Sequence, residues 1–314
     1  MAEELKYQIL LQLAQIRSRK LIVQRYFVSD VSVLRIQEEL AKTYHKSYQT
    51  LPQVLCVDEF KSMKSCEGAM SFICVDGTNN RLFEVLEDRR IDKLVQYFMS
   101  FPGKAHLGVR YLVMDMNASY QQLIKMIFPN AQIVTDRFHI VQQITRSLNQ
   151  LRIKKMNAFN TSNPEDKKKY RRLKRYWKLI LKDSDSLDNR HSAYHSMFKR
   201  YLYAQDIIDE LLSYDSQLKL AYEAVQLRHY YRKKKDIDGF FSTIQTLDKD
   251  LPKWFRKKLY FLKKYNQGIQ NAFELRHSNG VTEGLNNKIK LIKRLSYGYR
   301  NFYHLRVQST SFRA

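Results

Sequence analysis

Apolar residues recur at helical spacing through the first fifty positions, and the period then changes. "LKYQILLQLAQIRSR" (5–19) and "KLIVQRYF" (20–27) each carry a helical stripe, "VSD" interrupts, and "VSVLRIQEELAK" (31–42) resumes the period. Ser29 or Asp30 supplies the short side-chain oxygen that caps the last of these helices. Two short helices around a tight turn predict a helix-turn-helix-like DNA-binding segment over 1–50, with Ser32 and Arg35 presented to a major groove. From residue 53 the runs shorten and become β-rich: "QVLCVDEF", "AMSFICVDG", and, after a turn at Gly77 to Asn80, "TNNRLFEVLED". A helix "RIDKLVQYFMSF" follows, closed by Pro102 and Gly103. The uninterrupted apolar run "VRYLVMDMN" reads as a strand buried on both faces, the mark of parallel pairing. Helix "SYQQLIKMIF", strand "AQIVTD" and helix "RFHIVQQITRSLNQL" complete the order β-β-β-α-β-α-β-α.

Three hairpin-connected strands followed by alternating helices and strands predict an α/β fold with a ribonuclease H-like mixed sheet, the first part of a catalytic core over 51–150. Residues 151–275 lack strand alternation and predict a large, basic, all-helical insertion. Residues 276–314 return to an amphipathic helix that completes the core.

Composition sharpens this. Hydrophobic residues at 44% make the chain globular, and Gly 9 with Pro 5 leaves room for sustained helix. Lys and Arg number 55 against 31 acids, a formal charge of +24, which points to a polyanionic partner, nucleic acid first. Between Lys167 and Lys178 the bases Lys167, Lys168, Lys169, Arg171, Arg172, Lys174 and Arg175 occur without an acid, with Tyr170, Tyr176 and Trp177 interleaved. That face is suited to tracking a phosphate backbone; the bland alternative is a solvated face over core aromatics. Cys56, Cys66 and Cys74 are odd in number and form no CxxC pair, so neither a disulfide framework nor a zinc site is expected and a reducing cytoplasm fits. No signal-peptide core and no 18-residue apolar run occurs, so no membrane association is expected.

The acids carry the chemistry. Asp58 follows the first strand and Asp115 the fourth; if those strands are neighbours, both carboxylates emerge at one edge of the sheet. In the closing helix, Asn279 and Gly280 read as a turn, Thr282 as the N-cap, and Glu283 as a first-turn acid favoured by the helix dipole. Leu285, Ile289 and Ile292 form an apolar stripe, while Glu283, Asn287, Lys290 and Arg294 form a second stripe that begins with a carboxylate and continues as bases. Two Mg²⁺ ions, with Mn²⁺ as substitute, would be bridged by Asp58 and held singly by Asp115 and Glu283, while Lys290 and Arg294 neutralise phosphates. Asp136 is the alternative third acid, His139 a packing or outer residue, and Asn117 a substrate-orienting or capping residue. Glu59 should point away from Asp58, and Asp76 and Glu84 toward solvent.

"VDEFKS", "MDMNASY", "TDRFHIVQ" and above all "HSNGVTEGLNNKIKLIKRLSYGYRNFYH" resemble the ISL3 family of bacterial insertion-sequence transposases, of the DDE class. The resemblance covers nearly the whole chain. It implies Asp58, Asp115 and Glu283 as the catalytic acids, and residues between Asp115 and Glu283 as an insertion domain. It further implies double-stranded DNA with terminal inverted repeats and target DNA as partners, cleavage and strand transfer as the reaction, and action as a homo-oligomer. Members of the family begin with a cysteine-rich zinc-binding segment that is not seen ahead of residue 1, and their pattern continues where "VQSTSFRA" stops. Both departures predict a truncated copy that folds around the active site without transposing. The alternatives are a non-catalytic DNA-binding remnant or regulator, and a structure-selective nuclease of the same fold.

Overall fold

A computed structural model describes residues 2–15, 17–43, 47–295 and 301–310. Helices α1 (Glu3–Ala14), α2 (Arg19–Tyr26) and α3 (Asp30–Thr43) share a small core of Ile9, Leu13, Ile22, Val33 and Ile36. Each later start has a serine cap: Ser18 Oγ accepts the Leu21 amide at 3.3 Å, and Ser29 Oγ accepts that of Ser32 at 3.0 Å. Ser29, not Asp30, is therefore the cap, and Asp30 is the first residue of α3. Helix α2 ends where Phe27 turns into the left-handed region at φ 52°.

Strands β1 (Val54–Lys61), β2 (Met70–Asp76) and β3 (Arg81–Leu86) form an antiparallel meander; the turn before β3 uses Asn80 at φ 60°. Next come α4 (Ile91–Phe98), a short helix α5 (Gly103–Gly108), β4 (Tyr111–Met114), α6 (Ala118–Ile127) and β5 (Gln132–Thr135). Helix α5 is hidden in sequence because Pro102 and Gly103 read as a stop; Pro102 instead precedes the first turn, where its missing N–H costs nothing. The sheet order is β3-β2-β1-β4-β5, with β4 parallel to both β1 and β5. One face is closed by α4 and α6 over Leu55, Val57, Phe72, Cys74, Leu112 and Met114.

Helix α7 (Arg137–Ala158) opens a second contact unit, residues 137–275, distinct from 1–136 with 276–314. Its start lies earlier than residue 151 because α7 runs unbroken through that position. The unit continues with α8 (Pro164–Arg175), α9 (Trp177–Ile180), a hairpin of β6 (Ala193–His195) and β7 (Arg200–Leu202), and helices α10 (Ala204–Leu212), α11 (Ser216–Lys234), α12 (Ile237–Gln245), α13 (Lys253–Tyr260) and α14 (Asn266–Glu274). The insertion is thus not all helical: Lys199 at φ 56° turns a two-stranded ribbon, whose exposed Tyr194 and Tyr201 pair across the strands. Ile140, Ile144, Leu148 and Leu151 form the buried stripe of α7, and Arg228 of α11 is wholly buried against the Thr243 carbonyl at 2.8 Å.

Helices α15 (Gly280–Leu295) and α16 (Phe302–Thr310) return to the first unit. Helix α16 packs on β3 and α3, and here Glu84 departs from expectation. It is fully buried, with Arg306 of α16 donating Nη2 to Oε2 at 2.6 Å and Nε to Oε1 at 2.8 Å. The strand alternation alone left Glu84 facing water; a helix more than two hundred residues away covers it. Asp76 is half-buried and accepts the Thr78 amide at 2.8 Å.

Candidate functional site

The register of β1 and β4 brings two of the expected acids level. Cys56 pairs with Val113 on the last shared rung, so Asp58 and Asp115 each lie two residues beyond it, on neighbouring parallel strands and with the same parity. Met114 pairs with Thr135 of β5, and the Asp136 amide donates to the Met114 carbonyl at 2.8 Å, which sets Asp136 beside Asp115 at the third strand end. Asp58 and Asp115 are half-buried and Asp136 is buried. Burial pushes the Cys56 thiol up to about 12, and the negative charges of Asp136 and Asp76 add to it. Glu59 points to the other face, where it accepts from Tyr120 Oη at 2.5 Å and pairs with Arg89. Asn117 caps α6 by accepting the Ser119 amide at 3.0 Å.

Where β4 ends, β1 loses a neighbour. Odd-numbered carbonyls of β1 face that side, since the Gln53 oxygen accepts from Arg110 and Tyr111 there. Helix α15 takes the place of the missing strand. Asn279 Nδ2 donates to the Val57 carbonyl at 3.0 Å, Asn286 Nδ2 reaches the Glu59 carbonyl at 3.4 Å, and Lys293 Nζ donates to the Lys61 and Ser62 carbonyls, the latter at 3.0 Å. Positions 279, 286 and 293 are two helical turns apart, so one stripe follows the strand edge. Unmet carbonyls there would be costly.

Asn286 does more than its two companions. Its Nδ2 also donates to Asp58 Oδ2 at 2.6 Å, while Asp58 Oδ1 accepts the Glu59 amide at 2.8 Å. The remaining amide oxygens, Asn286 Oδ1 and Asn279 Oδ1, are buried with no hydrogen-bond partner among the described residues.

The start of α15 differs from the sequence reading. The Asn279 carbonyl already accepts the Glu283 amide at 3.0 Å, so the helix begins at Gly280 and Thr282 is not its cap. Thr282 is fully buried because it faces the sheet rather than the chain entering the helix. The inward face is formed by Thr282, Asn286, Ile289 and Ile292, with Leu285 only half-buried; each buried isoleucine contributes about 1.5–3 kcal/mol of apolar burial. Glu283, Asn287, Lys290 and Arg294 are exposed. On a helical wheel Glu283 lies about 60° from Asn286, on the shoulder of the polar stripe.

The other expected binding residues fall in two places. Ser32 is half-buried, its Oγ 2.8 Å from that of Ser29, and Arg35 is exposed on α3. Residues 164–175 form α8, capped by Asn163, which accepts the Glu165 amide at 2.8 Å, with Pro164 opening the helix. Lys167, Lys168, Arg171, Lys174 and Arg175 are exposed on it, and Lys169 lies over the Phe159 ring at 5.1 Å. Arg172 does not belong with them. Its guanidinium donates to Glu210 at 2.6 Å, Tyr214 at 2.9 Å and twice to the Met197 carbonyl, leaving one of five donors. Tyr176, packed on Phe198 and 3.2 Å from His195 Nδ1, is likewise an internal residue.

Among the described residues no three His, Cys, Asp or Glu side chains enclose a metal ion by themselves. The carboxylates of Asp58, Asp115 and Asp136 on neighbouring strands and the Asn286 amide of α15 offer oxygens, and Asn286 Oδ1 is a buried acceptor with no donor opposite it among the described residues. Such a set fits a hard divalent cation that keeps several of its waters.

Residues 55–309 match the family model DDE_Tnp_ISL3, described as "Transposase". Over 264 residues, 82% of this chain, the sequence is 24% identical to the "Transposase for insertion sequence element IS1001" of Bordetella parapertussis. A stretch of 108 residues is 34% identical to a protein of Lactococcus lactis subsp. lactis named "ATP-dependent protease", and it makes up 34% of each chain. The matched regions span 60% and 34% of those two relatives' own lengths.

Proposed function

The chain belongs to the ISL3 family of transposases, and from that premise we propose that it is a DDE-type enzyme that cleaves DNA at insertion-sequence ends and transfers the strand to target DNA. The observation that carries the reading is the level placement of Asp58, inside β1 just past its last rung shared with β4 rather than after the strand, and Asp115, directly after β4, with α15 hydrogen-bonded along β1 and Glu283 on its first turn. The strand order β3-β2-β1-β4-β5, with an antiparallel meander joined to a parallel pair, supports the ribonuclease H-like assignment of the sheet. The three-residue break between α2 and α3 supports a helix-turn-helix.

In this reading Asp58, Asp115 and Glu283 hold Mg²⁺, or Mn²⁺ in its place. Paired divalent ions supply activation of a water or a 3' hydroxyl and stabilisation of the leaving oxygen. The chain's own residues do the rest. Asn286 and the Glu59 amide fix the Asp58 carboxylate. Lys290 and Arg294, exposed along the Glu283 shoulder, neutralise phosphates near the scissile bond. Arg35 and Ser32 serve end recognition, and Lys167, Lys168, Lys169, Arg171, Lys174 and Arg175 track the backbone, without Arg172. The partners are duplex DNA with terminal inverted repeats, target DNA and further copies of the chain, in the cytoplasm beside the nucleoid. Among the described residues no helix is long and apolar enough to cross a membrane. The name of the Lactococcus protein is not carried over, because the match covers only 34% of either chain.

The test is incubation of the purified chain with a labelled duplex ending in the element's inverted repeat, a target plasmid and Mg²⁺. Joined products support the transposase; nicked ends without joining indicate a nuclease, and binding without nicking a regulator.

A further inference from the structure

We propose that Asn286 is the positioning residue of the Asp58 carboxylate, and that its buried amide oxygen is kept to accept a water of a hydrated divalent cation beside Asp58. The inference rests on the reading of Asp58 as a metal-holding acid.

Three side chains, Asn279 just ahead of α15 and Asn286 and Lys293 on it, donate to the open edge of β1, and Asn279 and Lys293 have only main-chain oxygens as acceptors. Asn286 alone divides its amide between the edge and a carboxylate, at 3.4 Å to Glu59 O and 2.6 Å to Asp58 Oδ2. Edge capping does not explain that preference, since the shorter bond is the one to the side chain. With the Glu59 amide on Oδ1, each oxygen of Asp58 has a fixed donor, which sets the plane of the carboxylate. Both donors are neutral. A lysine, which the same stripe uses at position 293, would hold Asp58 as an ion pair and compete with a metal for its charge; an amide orients the group and leaves the charge in place.

The other end of the amide completes the case. Asn286 is 2% exposed, and its Oδ1 has no partner among the described residues. A buried acceptor without a donor is unfavourable, and the apolar side chains that would fill this position equally well carry none. A neutral oxygen next to an oriented carboxylate, on the face where Asp115 and Asp136 also end, is matched by the O–H of a metal-bound water.

Binding of Mn²⁺ to the full chain without DNA, followed by the electron paramagnetic resonance of the free ion, tests this directly. Asn286→Ala is expected to weaken Mn²⁺ binding by about 10- to 100-fold. Asn279→Ala and Lys293→Met should stay within about twofold of wild type, although all three lower the melting temperature through loss of edge caps. Equal weakening by all three variants, or none by Asn286→Ala, overturns the proposal. Asp58→Asn keeps the two apart: if it binds Mn²⁺ like wild type, the metal-site reading itself fails, whereas loss in Asp58→Asn with full binding in Asn286→Ala removes only the inference. Should Asn286→Ala not fold, Asn286→Asp serves. Its second carboxylate repels Asp58 until a cation joins them, so Mn²⁺ should raise its melting temperature more than that of wild type; an equal or smaller rise overturns the proposal.

Discussion

At the scale of single residues, what each carboxylate touches separates the acids better than their exposure does. Glu84 is fully buried and doubly bonded to Arg306, and it also accepts from the Val85 amide at 2.9 Å and Tyr97 Oη at 3.3 Å, so it is a structural group. Arg306→Met leaves it buried without its counter-charge, and equilibrium urea unfolding should show a loss of about 3–5 kcal/mol. The double variant Glu84→Leu with Arg306→Met should recover much of that loss, because no charge then remains buried. Asp58 accepts from the Asn286 side-chain amide and from the Glu59 backbone amide, both neutral donors. The placement of Asp58 and Asp115 on neighbouring strands was legible in the sequence because each ends an apolar run. Glu84 was not, because its cover comes from a helix distant in the chain. Asn286 escaped notice too: in "GLNNKIK" it reads as one more polar helix residue, and only the absence of β4 beside Asp58 gives it a partner.

At the scale of elements, sequence period placed every strand of the main sheet, since each is a short apolar run, and "ICVD" and "LVMD" end in the aspartates that leave the core. It placed the apolar stripe of α15 less well. Leu285 continues the helical spacing, but the face that meets β1 is set by hydrogen bonds from Asn279, Asn286 and Lys293, which a hydrophobic stripe does not report. The hairpin β6–β7 was missed because strands of three residues fall below any periodic signal. Within the insertion, α11 carries a pH-sensitive group. Burial holds the His229 imidazole below its usual range, the cations Arg232 and Lys233 act with it, and Asp183 opposes. The unfolded chain therefore takes up this proton at higher pH than the folded one, so the stability is complete above the ordinary histidine value and is lost as pH falls below it. Thermal melts between pH 7.5 and 5.0 should show that decline. His229→Gln should flatten it by at most about 1.4 kcal/mol per pH unit.

At the scale of the whole molecule, a formal charge of +24 is distributed over a core unit and an insertion, and the basic surface of α8 is one concentrated part of it. Affinity for duplex DNA should fall linearly on a log–log plot against salt, with each lost phosphate contact reducing the slope by about 0.9. Lys167→Ala with Lys174→Ala and Arg175→Ala should reduce it by up to about three such steps. Arg172→Ala should instead lower the melting temperature and leave the slope alone, because its partners are Glu210, Tyr214 and the Met197 carbonyl. The central claim is that Asp58 on β1, Asp115 after β4 and Glu283 on the returning helix α15 make one metal-dependent DNA-cleaving site. It is tested most directly by nicking of a labelled element-end duplex in Mg²⁺ or Mn²⁺, with chelator as control, by the wild-type chain and by Asp58→Asn, Asp115→Asn and Glu283→Gln. Metal-dependent nicking at the repeat end by wild type alone, with DNA binding kept in all four proteins, is the predicted result. Full nicking by any one variant, or none by the wild-type chain on DNA that it binds, would contradict the account.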